Sequence, residues 1–122
     1  MATVYCNPDL DSGDDDGSSE ANAWQTLDQS FNGVSSGDHC YIKKCSSRID
    51  EGLIDVPTGA DGTATAMTIF EGYETTPGDN GRFEYANQIA IKSDMTVFKN
   101  WDIEDSKASS SGVLVVYSDA TA

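Results

Sequence analysis

Positive charge is scarce in this chain. Seven Lys and Arg face 21 Asp and Glu, a formal net charge of −14 over 122 residues. A field of that sign repels phosphate backbones and anionic bilayers, so neither nucleic acid nor a membrane is expected as a partner. Long apolar runs are missing too; none approaches the ~20 residues of a membrane span. The opening Met1-Ala2-Thr3-Val4-Tyr5 lacks the basic and apolar segments of a signal peptide. Cysteine is sparse and odd in number: Cys6, Cys40 and Cys45, with no CxxC pair. That pattern predicts reduced thiols in a cytosolic setting. The only histidine is His39, and no GxSxG is present, which leaves a serine-hydrolase reading without support. His39 adjoins Cys40, but neighbours on a strand point to opposite faces, so shared zinc is not expected.

What remains is a globular composition, 38% hydrophobic and 23% charged, of a length that suits one domain. The charge is uneven. Residues 1–42 hold Asp9, Asp11, Asp14, Asp15, Asp16, Glu20, Asp28 and Asp38 and no Lys or Arg. All basic residues lie from Lys43 to Lys107. The two parts can attract each other within the chain or between subunits, although a solvated acidic face is the simpler reading.

Local patterns give mostly strand and turn. Thr3–Cys6 reads as a short strand stopped by Asn7-Pro8. An acidic Gly/Ser loop follows over residues 7–20. Trp24, Leu27, Phe31 and Val34 then recur at helical spacing, with Asn22 and Gln25 as a capping box and Gly33 as the stop, predicting a helix over 22–33. Strands are predicted around Cys40–Ile42, Leu53–Val56, Met67–Phe70, Gln88–Ile91, Thr96–Phe98, Trp101–Ile103 and Val113–Val116. They recur about every 20 to 27 residues, a period that suits a coiled stack better than a sandwich of hairpins.

Val4-Tyr5-Cys6-Asn7-Pro8, the acidic loop, Ala23-Trp24-Gln25-Thr26-Leu27 and Ser36-Gly37-Asp38-His39-Cys40-Tyr41-Ile42-Lys43 follow one another in an order that resembles the opening of right-handed parallel β-helix proteins. These are the pectate-lyase-like folds of polysaccharide enzymes and of phage tail or surface proteins. Ile54-Asp55-Val56-Pro57, the Gly-rich turn after it, and Met67-Thr68-Ile69-Phe70-Glu71-Gly72-Tyr73 are similar to passages between their coils, as is Val97–Ile103. The chain departs from the family where Cys6 and Cys40 replace the usual Val and Cys45 the usual Gly. The resemblance implies a mainly-β fold: a short right-handed parallel β-helix of three to four coils with one N-terminal capping α-helix. Residues 1–122 would form one domain, with 1–35 as strand, loop and cap, and 36–122 as coils. A fold of this kind does not name a function.

Candidate chemistry is thin. Asp102 and Glu104 share a strand face beside Asp105, the residue types of a glycosidase pair, yet such pairs arise by chance in so acidic a chain. Arg48, Arg82 and Lys99 are available as lyase bases, but no acidic cluster is tied to them. The loop over 9–17 offers oxygens for a hard cation through Asp9, Asp11, Asp14 and Asp16, and calcium is the cation such oxygens suit. The competing and weightier reading is turn chemistry, with Asp side chains capping backbone amides.

The tail Tyr117–Ala122 does not look like a C-terminal cap, so the later coils are expected to need cover from a partner or from a second copy. The expected function is therefore a non-enzymatic structural protein of a virion, such as a phage capsid decoration (cement) or tail component, made in the host cytoplasm. Its expected partners are capsid or tail proteins, itself, or both. The alternative is a carbohydrate-active protein, a truncated polysaccharide lyase or hydrolase or a glycan-binding module, with Tyr41, Tyr73, Tyr85 and Trp101 available to stack on sugar.

Overall fold

The computed structural model describes residues 2–103 and, as backbone, the strand at 114–116. The elements are β1 (Thr3–Cys6), α1 (Leu27–Gly33), β2 (His39–Lys43), β3 (Ile54–Val56), a 3₁₀ turn (Thr58–Ala60), β4 (Thr68–Tyr73), β5 (Phe83–Tyr85), β6 (Ile89–Ile91), β7 (Thr96–Lys99), β8 (Trp101–Ile103) and β9 (Leu114–Val116). Among the described residues all strand pairs are parallel and fall into three sheets, ordered β1-β2-β4-β7, β3-β6-β9 and β5-β8. The fold is mainly β with one short helix.

Register is set by alternation. In β2 the side chains of Cys40 and Ile42 are buried while His39, Tyr41 and Lys43 are half-buried. Cys40 lies beside Phe70, and Phe70 beside Phe98. A slip of one residue would turn these apolar side chains to solvent, which holds the ladder in place. The core is an aromatic column: Phe31 meets Phe70 edge-on at 5.1 Å, Phe70 lies 5.3 Å from Phe98, and Trp101 sits 4.8 Å from Phe98 and 5.0 Å from Phe83.

The helix is shorter than its apolar spacing predicts. Trp24 is not helical; it forms a parallel bridge with Cys6. Its N–H donates to the Tyr5 carbonyl at 3.0 Å and its carbonyl accepts from Asn7 N–H at 2.8 Å. Those bonds hold the segment extended. Asn22 does not cap the helix; its side-chain oxygen accepts from Asp14 N–H and its carbonyl from Asp16 and Gly17. The cap is Thr26, whose hydroxyl oxygen accepts from Gln29 N–H, and Glu51 reaches across to accept from Leu27 and Asp28 N–H at 2.7 and 3.0 Å. Leu27 and Phe31 are fully buried. The strand β5 was not expected from the sequence. Of the sequence expectations at the far end, the apolar run Val113–Val116 is described only as the backbone of β9, and the tail Tyr117–Ala122 lies outside the described residues.

Trp24 covers the start of the ladder from a seat made by two glycines. A methyl built on Gly17 would lie 2.8 Å from the indole, and one on Gly33 would lie 2.5 Å from it. Gly17 also has φ +77°, a left-handed conformation that disfavours any side chain. Trp24→Ala is expected to lower stability by about 3 kcal/mol, the cost of a large aromatic lost from a packed site, as read from the urea midpoint.

Cys6, Cys40 and Cys45 are free and buried. Burial is the first cause that raises all three thiols, with Cys40 also raising Cys6 through their proximity, and Cys45 is pushed up to about 12. A thiol reagent at pH 8 is expected to label Cys45 first and slowly, and to reach Cys6 and Cys40 only on unfolding. Rapid labelling of Cys6 in the folded chain would contradict the packing described.

Candidate functional site

The acidic loop is built as a cover. Tyr5 N–H donates to the Gly17 carbonyl at 2.9 Å, and Trp24 bonds Tyr5 and Asn7, so the outer side of β1 is already paired by residues 17–24. The loop's carboxylates serve backbone donors. Asp9 accepts from Ser46 N–H at 2.7 Å, Asp16 from Ser18 N–H at 3.0 Å, and Asp15 from Gln25 N–H and the Gln29 amide. Asp9, Asp11, Asp14 and Asp16 are exposed. Among the described residues no three His, Cys, Asp or Glu converge on a position that could hold a metal ion, so these four are not gathered as a calcium ligand set. Asp9 and Asp16 cap backbone amides in the manner of turn chemistry. Hydrogen bonds from Ser18 hold the Asp16 carboxyl below its ordinary value.

A second group occupies the outer face of the four-stranded sheet. The register aligns Tyr5, Tyr41, Glu71 and Lys99 in one row and Thr3, His39, Ile69 and Val97 in the next. His39 Nε2 lies 2.9 Å from Glu71 Oε1, and Lys99 Nζ lies 4.0 Å from the same oxygen. The Glu71 side chain is 5% exposed and that of His39 is 30% exposed. His39 stacks on Tyr41 at 4.3 Å, and Tyr41 on Tyr5 at 6.1 Å. Burial, then Glu71 and Tyr5, raise the Tyr41 phenol. A buried carboxylate fixing one ring nitrogen of a half-exposed imidazole is the arrangement that orients a general base. His39 and Cys40 point to opposite faces, as the alternation predicts.

The residues proposed for sugar stacking divide. Tyr73 and Tyr85 are almost wholly buried and cannot offer a ring face. Tyr73 donates its hydroxyl to Glu20 at 2.8 Å, and Tyr85 donates to the Gly52 carbonyl at 2.6 Å. Burial is the main cause that pushes the Tyr85 phenol up to about 12. Tyr41 remains half-exposed. Asp102 is not free for acid catalysis: Arg48 holds its carboxylate at 3.1 Å and also bonds Glu84 and the Asp102 and Tyr85 carbonyls. Glu104 and Asp105 lie outside the described residues.

A third region is the far end of the ladder. Phe98, Trp101 and Ile103, with Arg82 and Asn100, line a groove of about 460 Å³. Their apolar side chains pack against the core and are half-exposed. Trp101 Nε1–H donates to the Phe70 carbonyl at 2.9 Å, which fixes the indole in the groove wall. Sequence reasoning could place these residues on strands but not on one end, because that depends on which strand neighbours which.

Two local predictions follow from these bonds. The Asp79 carboxylate accepts from Thr76, Thr75, Glu74 and Gly81 N–H, and these bonds hold it well below the usual carboxylate range. A carboxyl depressed in the folded state stabilises above its unfolded value and loses that contribution as pH falls through the folded one. The 74–81 turn should therefore keep its amide protection at pH 3, and Asp79→Ala should remove that protection at pH 7, as read by hydrogen exchange. Glu71→Gln keeps an acceptor for His39 and should cost about 1 kcal/mol, whereas Glu71→Ala, which leaves the imidazole unpaired, should cost roughly 2 to 3 kcal/mol in urea unfolding. No family model, curated protein or solved structure matches the chain.

Proposed function

We propose that the chain is a short right-handed parallel β-helix that works as a non-enzymatic structural protein of a virion, a phage capsid decoration (cement) or tail component. One observation carries the reading: the two edges of the four-stranded sheet are treated differently. The β1 edge is paired by its own loop, while among the described residues β7 has no neighbour beyond β4. Beside β7, the apolar side chains of Phe98, Trp101 and Ile103 stand half-exposed. An edge with unpaired backbone groups and apolar flanks is a template for another chain. Carboxylates engaged by the backbone support the same reading. Buried Asp38 accepts from Ala2 and Ser35 N–H, and half-buried Glu51 caps α1, so both build the fold. The similarity of the N-terminal motifs to phage β-helix proteins gives the virion its place in the proposal. The contact would bury more than about 1,000 Å² in total.

A specific observation favours a second reading, glycan binding. Tyr5, Tyr41 and His39 form a stacked, half-exposed aromatic row beside Lys99 and Glu71 on the outer face. Stacked rings with polar groups alongside suit a sugar face.

The two separate in one set of measurements. Co-sedimentation of the purified chain with virions is expected to give stable attachment, lost in Ile103→Lys, shown to be folded by circular dichroism at the assay temperature, and kept in Tyr41→Ala. Attachment insensitive to Ile103→Lys but abolished by Tyr41→Ala, or by competing polysaccharide, would transfer the function to the outer face.

A further inference from the structure

The sequence holds two Asn-Gly steps, Asn32-Gly33 and Asn80-Gly81. Such a step can close on itself. The glycine backbone nitrogen attacks the asparagine side-chain carbonyl, since no Cβ on the glycine hinders the approach. The structure treats the two steps in opposite ways. Asn32-Gly33 ends α1. The Asn32 amide donates to the Asp28 carbonyl at 2.8 Å, and Gly33 backs onto the Trp24 indole, where a methyl would lie 2.5 Å away. Ring closure there would turn a helical peptide plane against a packed ring. Asn80-Gly81 lies instead in the turn between β4 and β5. Asn80 is exposed and left-handed, with φ 63°. Its side-chain oxygen accepts from Asn100 Nδ2 at 3.4 Å, a donor set on the carbonyl that would be attacked. Its amide nitrogen, the group that would leave, donates to nothing among the described residues. Gly81 cannot be exchanged, because a methyl on it would collide with Glu74 N. One contact opposes the reaction. Gly81 N–H donates to Asp79 Oδ1 at 2.9 Å, and the same carboxylate accepts from Glu74, Thr75 and Thr76 N–H. The nitrogen must lose that proton to attack, and an amide anion beside a carboxylate is disfavoured by charge.

We infer that Asn80 is a self-modification site, a latent succinimide that the Asp79 carboxylate holds in check. Gly81 N bonds to Asn80 Cγ and gives up its proton, which passes through solvent to the departing nitrogen. The Cγ–Nδ2 bond breaks and ammonia leaves. Water then opens the ring at either carbonyl, giving aspartate or isoaspartate at position 80. Water is the only co-reactant. Each product adds one negative charge to a chain that already carries −14. Isoaspartate also lengthens the main chain by one methylene. The turn has room for it, because the β7-to-β8 connection reaches the same register through Asn100 alone. Loss of the Gly81 proton is the step that amide exchange and ring closure share, so the product accumulates with the time the turn spends open. The inference is independent of what the protein attaches to.

The test ages the full chain in mildly alkaline buffer, folded and in urea, and follows both steps by peptide mapping with mass spectrometry and isoaspartyl methyltransferase labelling. In the folded chain Asn80 should convert slowly while Asn32 stays intact. In urea the two should convert at similar rates, both faster than in the fold. Asp79→Ala should speed conversion of Asn80 in the folded chain about tenfold, the worth of one charge-assisted hydrogen bond, and leave Asn32 unchanged. Asp79→Asn keeps an acceptor without the charge and should fall between, so it reports the same trend if Asp79→Ala does not fold by circular dichroism. Asn80→Gly tolerates the left-handed backbone and should abolish the signal. Asn32 converting as fast as Asn80 in the folded chain overturns the inference. So does conversion of Asn80 that is no slower folded than in urea. An unchanged or slower rate in both Asp79 variants also overturns it, since the carboxylate would then not be the restraint.

Discussion

A parallel sheet satisfies its backbone only where strands have neighbours, and the rest of this structure depends on how its first edge is closed. Without the carbonyls of Gly17 and Trp24, the amides of Tyr5 and Asn7 would face solvent beside a buried apolar core. Closing that edge requires the segment after the acidic loop to run extended. That requirement places Trp24 over the ladder and delays the helix until Thr26. The helix then enters with Leu27 and Phe31 directed at the aromatic column, where Phe31 meets Phe70. Loop, indole and helix are thus one device for ending a ladder.

The same economy explains the acidity. A carboxylate accepts several hydrogen bonds and donates none, so it is well suited to loops whose amides have no strand to pair with. Asp79 gathers four amides, Asp38 ties residues 2 and 35, and Glu51 supplies two bonds at the start of α1. Much of what looks in the sequence like a reservoir of catalytic or metal-binding acid is spent on holding turns. Arg48 works in the opposite sense, its guanidinium joining β5 to β8 through Glu84, Asp102 and two carbonyls.

Alternation made much of the strand content legible. Residues 39–43, 54–56, 68–70 and 96–98 could be read as strands with a buried face from their own composition, and in the structure they pair in parallel sheets. The helix start misled, because Trp24 fits the helical stripe and only its pairing with Cys6, distant in sequence, overrides that fit. β5 is three residues long, too short to show a pattern. The aromatic candidates divided for a similar reason. Buried Tyr73 and Tyr85 find polar partners in Glu20 and Gly52 that no local rule supplies. The His39–Glu71 pair was invisible because it exists only once residue 39 is set beside residue 69.

The passage from the four-stranded to the two-stranded sheet is made twice, by very different lengths of chain. Between β4 and β5 it takes residues 74–82, organised around Asp79; between β7 and β8 it takes Asn100 alone, in a left-handed conformation with φ 59°. Both crossings deliver the next strand into the same parallel register, with Phe83 beside Trp101. That passage therefore accepts connections of different length. Sequence can be added or removed there between generations of the molecule, or spliced in as a displayed epitope, while the sheets on either side keep their alignment.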